Sequence, residues 1–276
     1  MSAAESSDTE DAGFDSMFQE PEGFCLPPPE EKIEVFERHA EFVEQDSPNE
    51  LRVNLLGTHP LWGHYLWNAA KIFANYLDSH KDIVRGRSVL ELGAAGALPS
   101  LVAAINGASR VVITDYPDLD LVGNIRKTVS MNMPEKLDDG SVMVEGYKWG
   151  YDIERIQMMS PDSSRTFDVL ILCDLVFNHS EHGGLLRSVG ELMKKPGQGS
   201  GCGGEAYVFF THHRPWLAKK DMEFIERTQS ELGLEVTRIV EQYTGAMFED
   251  DPGDERVRGT VHGFRLSYPQ EDFVRK

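Results

Sequence analysis

The stretch Val89-Leu-Glu-Leu-Gly-Ala-Ala-Gly-Ala-Leu-Pro-Ser-Leu101 decides the fold of this chain. Its apolar start, Ser88–Leu92, predicts a buried strand that ends at Gly93. Pro99 suits the first turn of a helix, because proline has no N–H to lose there. Small residues between a buried strand and a helix let the backbone approach a ligand, and the free N–H groups at the helix start then face it.

A carboxylate follows at the spacing that a nucleoside-binding βαβ unit requires. A second apolar strand, Arg110–Thr114, ends in Asp115, which can accept hydrogen bonds from both hydroxyls of a ribose. The dehydrogenase fingerprint G-x-G-x-x-G fails, because its second and third glycines would fall on Ala95 and Leu98. Another kind of nucleoside site, or a strand–turn–helix corner without a ligand, remains open.

Length and cysteine content narrow the class of protein. The chain has 276 residues, which fits one large α/β domain with an appendage. Its apolar runs are too short to span a bilayer, and its N-terminus has no basic region followed by an apolar stretch, so we expect neither a membrane span nor a signal peptide. The three cysteines show no C-x-x-C spacing. They favour a reducing cytoplasm and no structural zinc.

The charge is strongly negative, and much of it lies at the N-terminus. The net charge is −19, which argues against binding to nucleic acid or to an anionic membrane. Attraction of a cationic partner and simple solubility both explain it. Residues 1–31 carry no Lys or Arg, and their composition predicts a disordered acidic arm.

The apolar pattern predicts an α/β fold over residues 32–276. Residues 32–80 are expected to form an extension, a β-hairpin of Ile33–Phe36 and Leu51–Leu56 followed by a helix from Trp62 to Leu77. The expected sheet strands are Ser88–Leu92, Arg110–Thr114, Ser141–Glu145, Phe167–Cys173, Ala206–Thr211, Glu235–Gln242 and Gly259–Tyr268. The expected helices between them are Pro99–Asn106, Asp118–Met131, Glu181–Lys194 and Lys219–Leu232. This order predicts a Rossmann-like, seven-stranded, mostly parallel sheet with an antiparallel edge hairpin.

Candidate site residues follow the strands whose carboxyl ends should meet at one crevice. Trp149 comes just after the third strand, where an indole can cover an adenine face or belong to the core. Asp174 directly follows the buried run Val169–Leu172, and a carboxylate at the mouth of a buried strand favours a site. His179, His182, His212 and His213 are open between proton carriers and ordinary structural residues.

Several motifs together carry a family resemblance. The E-x-G-x-x-G start at Glu91, with Asp115 downstream, resembles motif I of the S-adenosylmethionine-dependent methyltransferases. "DLVF" at Asp174–Phe177 resembles the D-x-x-[YF] motif of the protein-lysine methyltransferase branch. With "HPLWGHYLWNA", "TDYPD" and "DLVFNHSEH", the chain resembles, over roughly residues 14–268, the fungal-type protein N-terminal and lysine methyltransferases that act on translation elongation factor 1-alpha. Relatives often read G-A-G-A-G at Gly93–Ala97, and we expect the extra methyl groups here to affect cofactor affinity rather than chemistry.

The resemblance implies S-adenosylmethionine as the cofactor, and a catalytic set of Asp174, Phe177 and Asn178 in which the Asp174 carboxylate holds the acceptor amine. It also implies a cytoplasmic monomer whose partner is elongation factor 1-alpha, with no metal, nucleic acid or membrane involved. The cofactor ligands that it implies are Trp62, Gly93, Ala94, Ala95, Asp115, Trp149 and Cys173.

Two other functions stay open. One is a small-molecule amine methyltransferase, such as an enzyme that acts on nicotinamide. The other is a catalytically silent binding module that has kept the fold, for which Ala95 and Ala97 in the cofactor turn are the support.

Overall fold

The computed structural model describes residues 30–61, 63–197 and 203–269. The acidic arm predicted for residues 1–31 therefore lies almost wholly outside the described residues, and Trp62 lies outside them too. The strands are β1 Lys32–Glu37, β2 Glu50–Leu55, β3 Ser88–Leu92, β4 Arg110–Asp115, β5 Val142–Gly146, β6 Val169–Cys173, β7 Glu205–Thr211, β8 Glu235–Tyr243 and β9 Thr260–Ser267. The α-helices are α1 Asn68–Ser79, α2 Leu98–Ile105, α3 Leu119–Asn132, α4 Pro134–Asp138, α5 Ile153–Gln157, α6 His182–Leu192, α7 Ala218–Leu232 and α8 Glu255–Arg258.

The main sheet confirms the predicted fold class. Its seven strands lie in the order β5-β4-β3-β6-β7-β9-β8. The first five in this order are parallel, and β9 runs antiparallel to both β7 and β8 as the edge hairpin. The chain leaves β3 toward β4 on one side and returns to β6 on the other. The carboxyl ends of these strands therefore border a crevice where ligands bind in open α/β sheets.

Apolar residues of the central strands face both sides of the sheet. In β3, Val89 belongs to the core shared with α1, α2 and the N-terminal hairpin, whereas Leu90 and Leu92 belong to the core beneath α6 and α7. Both faces of a parallel sheet are covered by helices, so such strands are apolar along their whole length. This burial fixes the strand ends firmly enough to position a site.

The predicted N-terminal hairpin is confirmed, since β1 and β2 pair antiparallel. Polar side chains of α3 attach it to the domain. The Asn132 amide accepts from the Arg52 N–H at 2.9 Å and donates to the Arg52 carbonyl at 2.7 Å. Thr128 accepts from the Asn54 N–H at 3.0 Å. These bonds satisfy the outer backbone groups of β2, which would otherwise be an unpaired sheet edge.

The first helix begins later than predicted, at Asn68 instead of Trp62. Trp67 is extended, with φ −65° and ψ 146°. Its ring packs at 4.8 Å from the His213 ring, and Tyr65 packs at 5.0 Å from Phe248. These long-range contacts hold the residues before Asn68 in a loop, although their apolar spacing continues that of the helix.

The other boundaries agree with prediction to within a few residues. The strand expected from Phe167 begins at Val169, because Phe167 makes only an isolated bridge to Met193. Three short helices, α4, α5 and α8, were not predicted. Along the described part of the chain, no helix is both long and apolar enough to cross a membrane.

Candidate active site

A cavity of about 1180 Å³ opens at the carboxyl edge of the sheet. The turn between β3 and α2 and the ends of β4, β5 and β6 form one part of its lining. The loop before α1, the residues after β7 and the loop after β8 form the rest. A cavity of this size holds a ligand larger than most metabolites, or two ligands side by side.

The β3–α2 turn has backbone angles that suit glycine. Gly93 has φ +64°, and a Cβ there would lie 2.6 Å from the Leu175 side chain and 2.9 Å from Trp149. Ala95 and Ala97 also adopt the left-handed region, with φ +46° and +59°. That conformation costs an alanine about 1 kcal/mol. The chain therefore keeps the tight turn despite its alanines.

Asp115 lies at the end of β4 beside this turn, and 9% of it is exposed. Its Oδ2 accepts from the Ala95 N–H and its Oδ1 from the Tyr116 N–H, both at 2.7 Å. Burial raises the pKa of this carboxyl group, although the two hydrogen bonds work to lower it. Each oxygen keeps acceptor capacity for a ligand hydroxyl.

Trp149 and Cys173 also line the cavity, as predicted. The indole Nε1–H of Trp149 is buried and has no hydrogen-bond partner in the described structure. Cys173 ends β6, and burial raises the pKa of its thiol, which keeps it protonated. A protonated thiol is a poor nucleophile, in agreement with a packing or contact role for this residue.

Asp174 is the most constrained carboxylate of the cavity. It is a non-glycine residue at φ +56°, and only 6% of it is exposed. Its Oδ1 accepts from His213 Nε2 at 2.9 Å and, more weakly, from the Thr211 N–H at 3.4 Å. Its Oδ2 is buried and has no partner among the described residues. A buried carboxylate oxygen without a donor is energetically costly, which favours a ligand as the missing donor.

Among the four candidate histidines, only His213 lines the cavity. Burial works to lower its pKa, but the charge of Asp174 and the hydrogen bond to it outweigh this effect, so the pKa is raised. His179 and His212 both bind Asp221, each at 2.7 Å. His182 bonds to the Val176 carbonyl at 2.7 Å. These three have structural partners away from the cavity.

Phe177 and Asn178 reach the cavity through the turn after β6. The Phe177 ring lies 6.3 Å from the His213 ring, nearly perpendicular to it. The Phe177 carbonyl accepts from the Arg214 guanidinium at 2.7 Å. The side-chain oxygen of Asn178 accepts from the Ser180 hydroxyl at 3.0 Å. The predicted catalytic residues thus share one side of the cavity.

Comparison with known proteins identifies the family of this chain. Residues 48–231 match the family model described as lysine methyltransferase. A protein N-terminal and lysine N-methyltransferase of Schizosaccharomyces pombe is 42% identical, over 95% of this chain and 98% of that protein. The protein of the same name in Eremothecium gossypii is 44% identical, over 93% of this chain and 95% of that protein.

The chain belongs to the lysine methyltransferase family. At the level of the fold, it is similar to a solved chain from Streptococcus mutans assigned to the S-adenosylmethionine-dependent methyltransferases. The TM-score is 0.53 at 14% identity, and the match covers 78% of this chain and 53% of that chain.

The cofactor of this lysine methyltransferase is S-adenosylmethionine, and two features of the cavity fit it. A side chain at Gly93 would fill the turn, so the backbone there stays open to a close ligand. The buried Trp149 Nε1–H lacks a partner within the described structure, so it can donate to a ligand. Among the described residues, no cluster of three or more His, Cys, Asp or Glu could hold a metal ion.

Sequence reasoning assigned no role to several cavity residues of the methyltransferase. Glu91, buried in β3, entered the sequence analysis only as the start of the E-x-G-x-x-G motif, without a role of its own. Burial raises its pKa to about 8, against hydrogen bonds from Ser100 that lower it. Tyr65 and Trp67 were interpreted as part of a helix, and nothing in the local sequence singled out Phe248.

Proposed function

We propose that this lysine methyltransferase methylates the N-terminal α-amine and an adjacent lysine of translation elongation factor 1-alpha. The observation that carries the proposal is the unpartnered Asp174 Oδ2, which lies in the same cavity as the β3–α2 turn. The names of the similar yeast proteins support a protein N-terminus and a lysine as acceptors. The motif resemblance supports elongation factor 1-alpha as the target, and a cytoplasmic monomer with residues 32–276 as its catalytic domain.

We assign the cofactor end of the cavity to six residues that line it. S-adenosylmethionine supplies a methyl group that is already activated on a sulfonium. The backbone of Gly93, Ala94 and Ala95 would approach its amino-acid part, and Asp115 would accept from the ribose hydroxyls. Trp149 and Cys173 would contact the adenine. Trp62 joins this set on the family resemblance alone.

The acceptor end needs a group that binds an amine without fixing its charge. An ammonium has no lone pair, so the reacting amine must be neutral at the moment of transfer. Asp174 Oδ2 would accept one N–H and so orient the lone pair, while His213 and the Thr211 N–H hold the other carboxylate oxygen. Phe177 would offer a ring face to the growing positive charge, with Asn178 beside it. An α-amine has a pKa near 8, about two units below that of lysine, which makes a free N-terminus the easier target.

The mouth of the cavity favours a cationic substrate. The carboxylates of Asp118, Glu181 and Asp251 line the cavity along with the cations Lys148 and Arg214, and the net charge of the whole chain is −19. An acidic surface concentrates a basic protein segment near the site and increases its association rate at low salt. These charges argue against an uncharged small-molecule acceptor.

The test uses purified elongation factor 1-alpha with a free N-terminus, isotope-labelled S-adenosylmethionine and the wild-type chain. We expect mass spectrometry to place the label on the α-amine and on a lysine close to it. A matched substrate with an acetylated N-terminus should lose the α-amine product. Two outcomes would contradict the proposal. One is label in nicotinamide when the enzyme is incubated with it and no protein substrate, and the other is no label in the elongation factor.

A further inference from the structure

Five ring side chains line the acceptor end of the cavity and form what we call the aromatic wall: Tyr65, Trp67, Phe177, His213 and Phe248. Neighbouring rings contact edge to face. The centroid distances are 5.0 Å for Tyr65–Phe248, 5.5 Å for Tyr65–Trp67, 4.8 Å for Trp67–His213 and 6.3 Å for Phe177–His213. The wall is thus continuous, although its members come from four separate segments.

The aromatic wall lies beside Asp174, whose Oδ2 has no hydrogen-bond partner among the described residues. His213, its central member, donates to Asp174 Oδ1, and Phe177 follows Asp174 by three positions in the chain. Asp174 Oδ2 is buried and without a partner in the described part of the chain. A nitrogen bound at this oxygen would therefore have ring faces close to it.

The loop that carries Phe248 is held by specific bonds. The buried Arg258 guanidinium donates to the Phe248 carbonyl at 2.5 Å. The Asn68 amide donates to the Gly245 carbonyl at 3.2 Å, and the Thr244 N–H donates to the Gly259 carbonyl at 2.7 Å. These bonds tie the loop to α1, α8 and the start of β9, so Phe248 has a defined place in the wall.

The charges around the wall are mainly negative. Asp174, Glu181 and Asp251 line the cavity with it. Arg214 also lines the cavity, but its guanidinium donates to the Phe177 carbonyl. His213 adds a positive charge only when it is protonated. Carboxylates beside ring faces are the surroundings in which a substituted ammonium binds better than a neutral group of the same shape.

We infer that the aromatic wall binds the methylated, positively charged amine of the substrate and keeps it at Asp174 between successive methyl transfers. This inference rests on the proposed function. Each added methyl group removes an N–H donor, so the hydrogen bond to Asp174 weakens and is absent for a trimethylated amine. The attraction of a ring face for N-methyl groups increases over the same series. In each transfer the N–CH3 bond forms as the sulfonium S–CH3 bond breaks, and S-adenosylhomocysteine leaves and is replaced by new cofactor. The ammonium that results releases its proton to solvent before the next transfer. The wall thereby replaces the hydrogen bond during this interval and favours several methylations in one encounter.

The first arm measures product distribution. Trp67→Leu and Phe248→Leu keep apolar volume and remove the ring faces, and Trp216→Leu is the matched control, since Trp216 is 60% exposed and is not among the cavity-lining residues. Each variant is given a large excess of an elongation factor N-terminal peptide. We expect the ratio of trimethylated to monomethylated product to fall about tenfold in the wall variants, and to be unchanged in the control.

The second arm does not depend on any protein substrate. Tetramethylammonium chloride and neutral neopentyl alcohol are compared by saturation-transfer NMR at pH 8.5 and constant ionic strength. We expect a saturable signal for the cation in wild type and in Trp216→Leu, and a signal weaker by about tenfold in Trp67→Leu. At this pH His213 carries less positive charge than at neutral pH.

The outcomes separate the two proposals. Cation binding that needs Trp67, without methyl transfer to the peptide, would support the wall and count against the elongation factor as substrate. Methyl transfer with an unchanged product ratio in both wall variants, or equal binding of the cation and the alcohol, would overturn the wall and leave the proposed function standing. Circular dichroism of each variant shows whether it is folded, and Phe248→Leu repeats the test at a second position.

Discussion

The two ends of the cavity are built in different ways. At the proposed cofactor end, the consecutive residues from Gly93 to Ala97 line the cavity, and three of them have positive φ. Two side chains bind this turn at Ala95: Asp115 accepts from its N–H, and the Asn124 amide donates to its carbonyl. The geometry depends on a tight turn between a buried strand and a helix.

At the proposed acceptor end, the cavity is lined by side chains that are distant in sequence. Trp67, His213 and Phe248 come from three loops and meet through ring contacts. Asp174 is the link to the sheet, because it follows β6 directly. The end that consists of consecutive backbone residues can be recognised from a local sequence pattern. At the end that consists of distant side chains, only Asp174 and Phe177 belong to such a pattern. Substitutions should therefore affect the two ends separately.

The largest effect is expected from Asp174→Asn. The amide keeps the shape and tolerates the positive φ of this position, but it lacks the charge and the full acceptor capacity. We expect the rate of methyl transfer to fall on the order of a hundredfold or more. Single-turnover methylation measures this rate, and calorimetry measures cofactor affinity. A parallel loss of cofactor affinity would show that the two ends are not separate.

Asp115→Ala should mainly weaken the binding of the cofactor, in contrast to Asp174→Asn, which should mainly slow methyl transfer. Removing a charged acceptor of ligand hydroxyls costs about 1.5–3 kcal/mol, or roughly 10- to 150-fold in the dissociation constant for S-adenosylmethionine. The control is Asp120→Ala, an exposed carboxylate in the first turn of α3. Calorimetry on the two variants is the measurement. Equal affinities for wild type and Asp115→Ala would remove Asp115 from the cofactor site.

Glu91→Gln tests, through the free energy of unfolding, whether the buried Glu91 carboxyl group has a raised pKa. The pKa of Glu91 in the folded protein is about 8, above its ordinary value of 4.5. The folded state therefore holds the proton more tightly, and wild-type stability is lost as pH rises from about 4.5 to 8. Glutamine cannot ionise, so the variant should gain on wild type by up to about 1.4 kcal/mol per pH unit in this window.

Urea denaturation of the cofactor-free proteins at pH 5.5, 6.5 and 7.5 measures this difference. A difference in the free energy of unfolding that stays constant over the three pH values would show that Glu91 has an ordinary pKa.

The smallest effect is expected from relieving the backbone strain of the β3–α2 turn. Ala95→Gly and Ala97→Gly should each stabilise the fold by about 0.5 kcal/mol, because glycine adopts positive φ freely while it adds entropy to the unfolded chain. Ala108→Gly, where φ is not positive, should instead destabilise by about 0.5–1 kcal/mol. Thermal unfolding measures all three. Destabilisation by Ala95→Gly as large as that by Ala108→Gly would show that the turn is not strained.

The sequence was sufficient for the sheet and for the position of two carboxylates at its carboxyl edge. Strand β3 agrees with prediction to the residue, because a buried parallel strand is apolar along its length. Asp115 and Asp174 were recognisable as carboxylates at strand ends. The helix start was misplaced, because the contacts of Tyr65 and Trp67 with residues far along the chain override local periodicity. Phe248 could not be predicted, since only the folded loop brings it to the cavity.

One measurement tests most directly whether the cofactor and the acceptor amine share this cavity. A bisubstrate compound would join adenosine, through a short linker at its 5′ position, to the α-nitrogen of an elongation factor N-terminal peptide. We expect calorimetry to show that it binds wild type about a hundredfold or more tightly than either half alone. Asp115→Ala and Asp174→Asn should each weaken that binding. Binding no tighter than that of the adenosine half, with no effect of Asp174→Asn, would contradict the account.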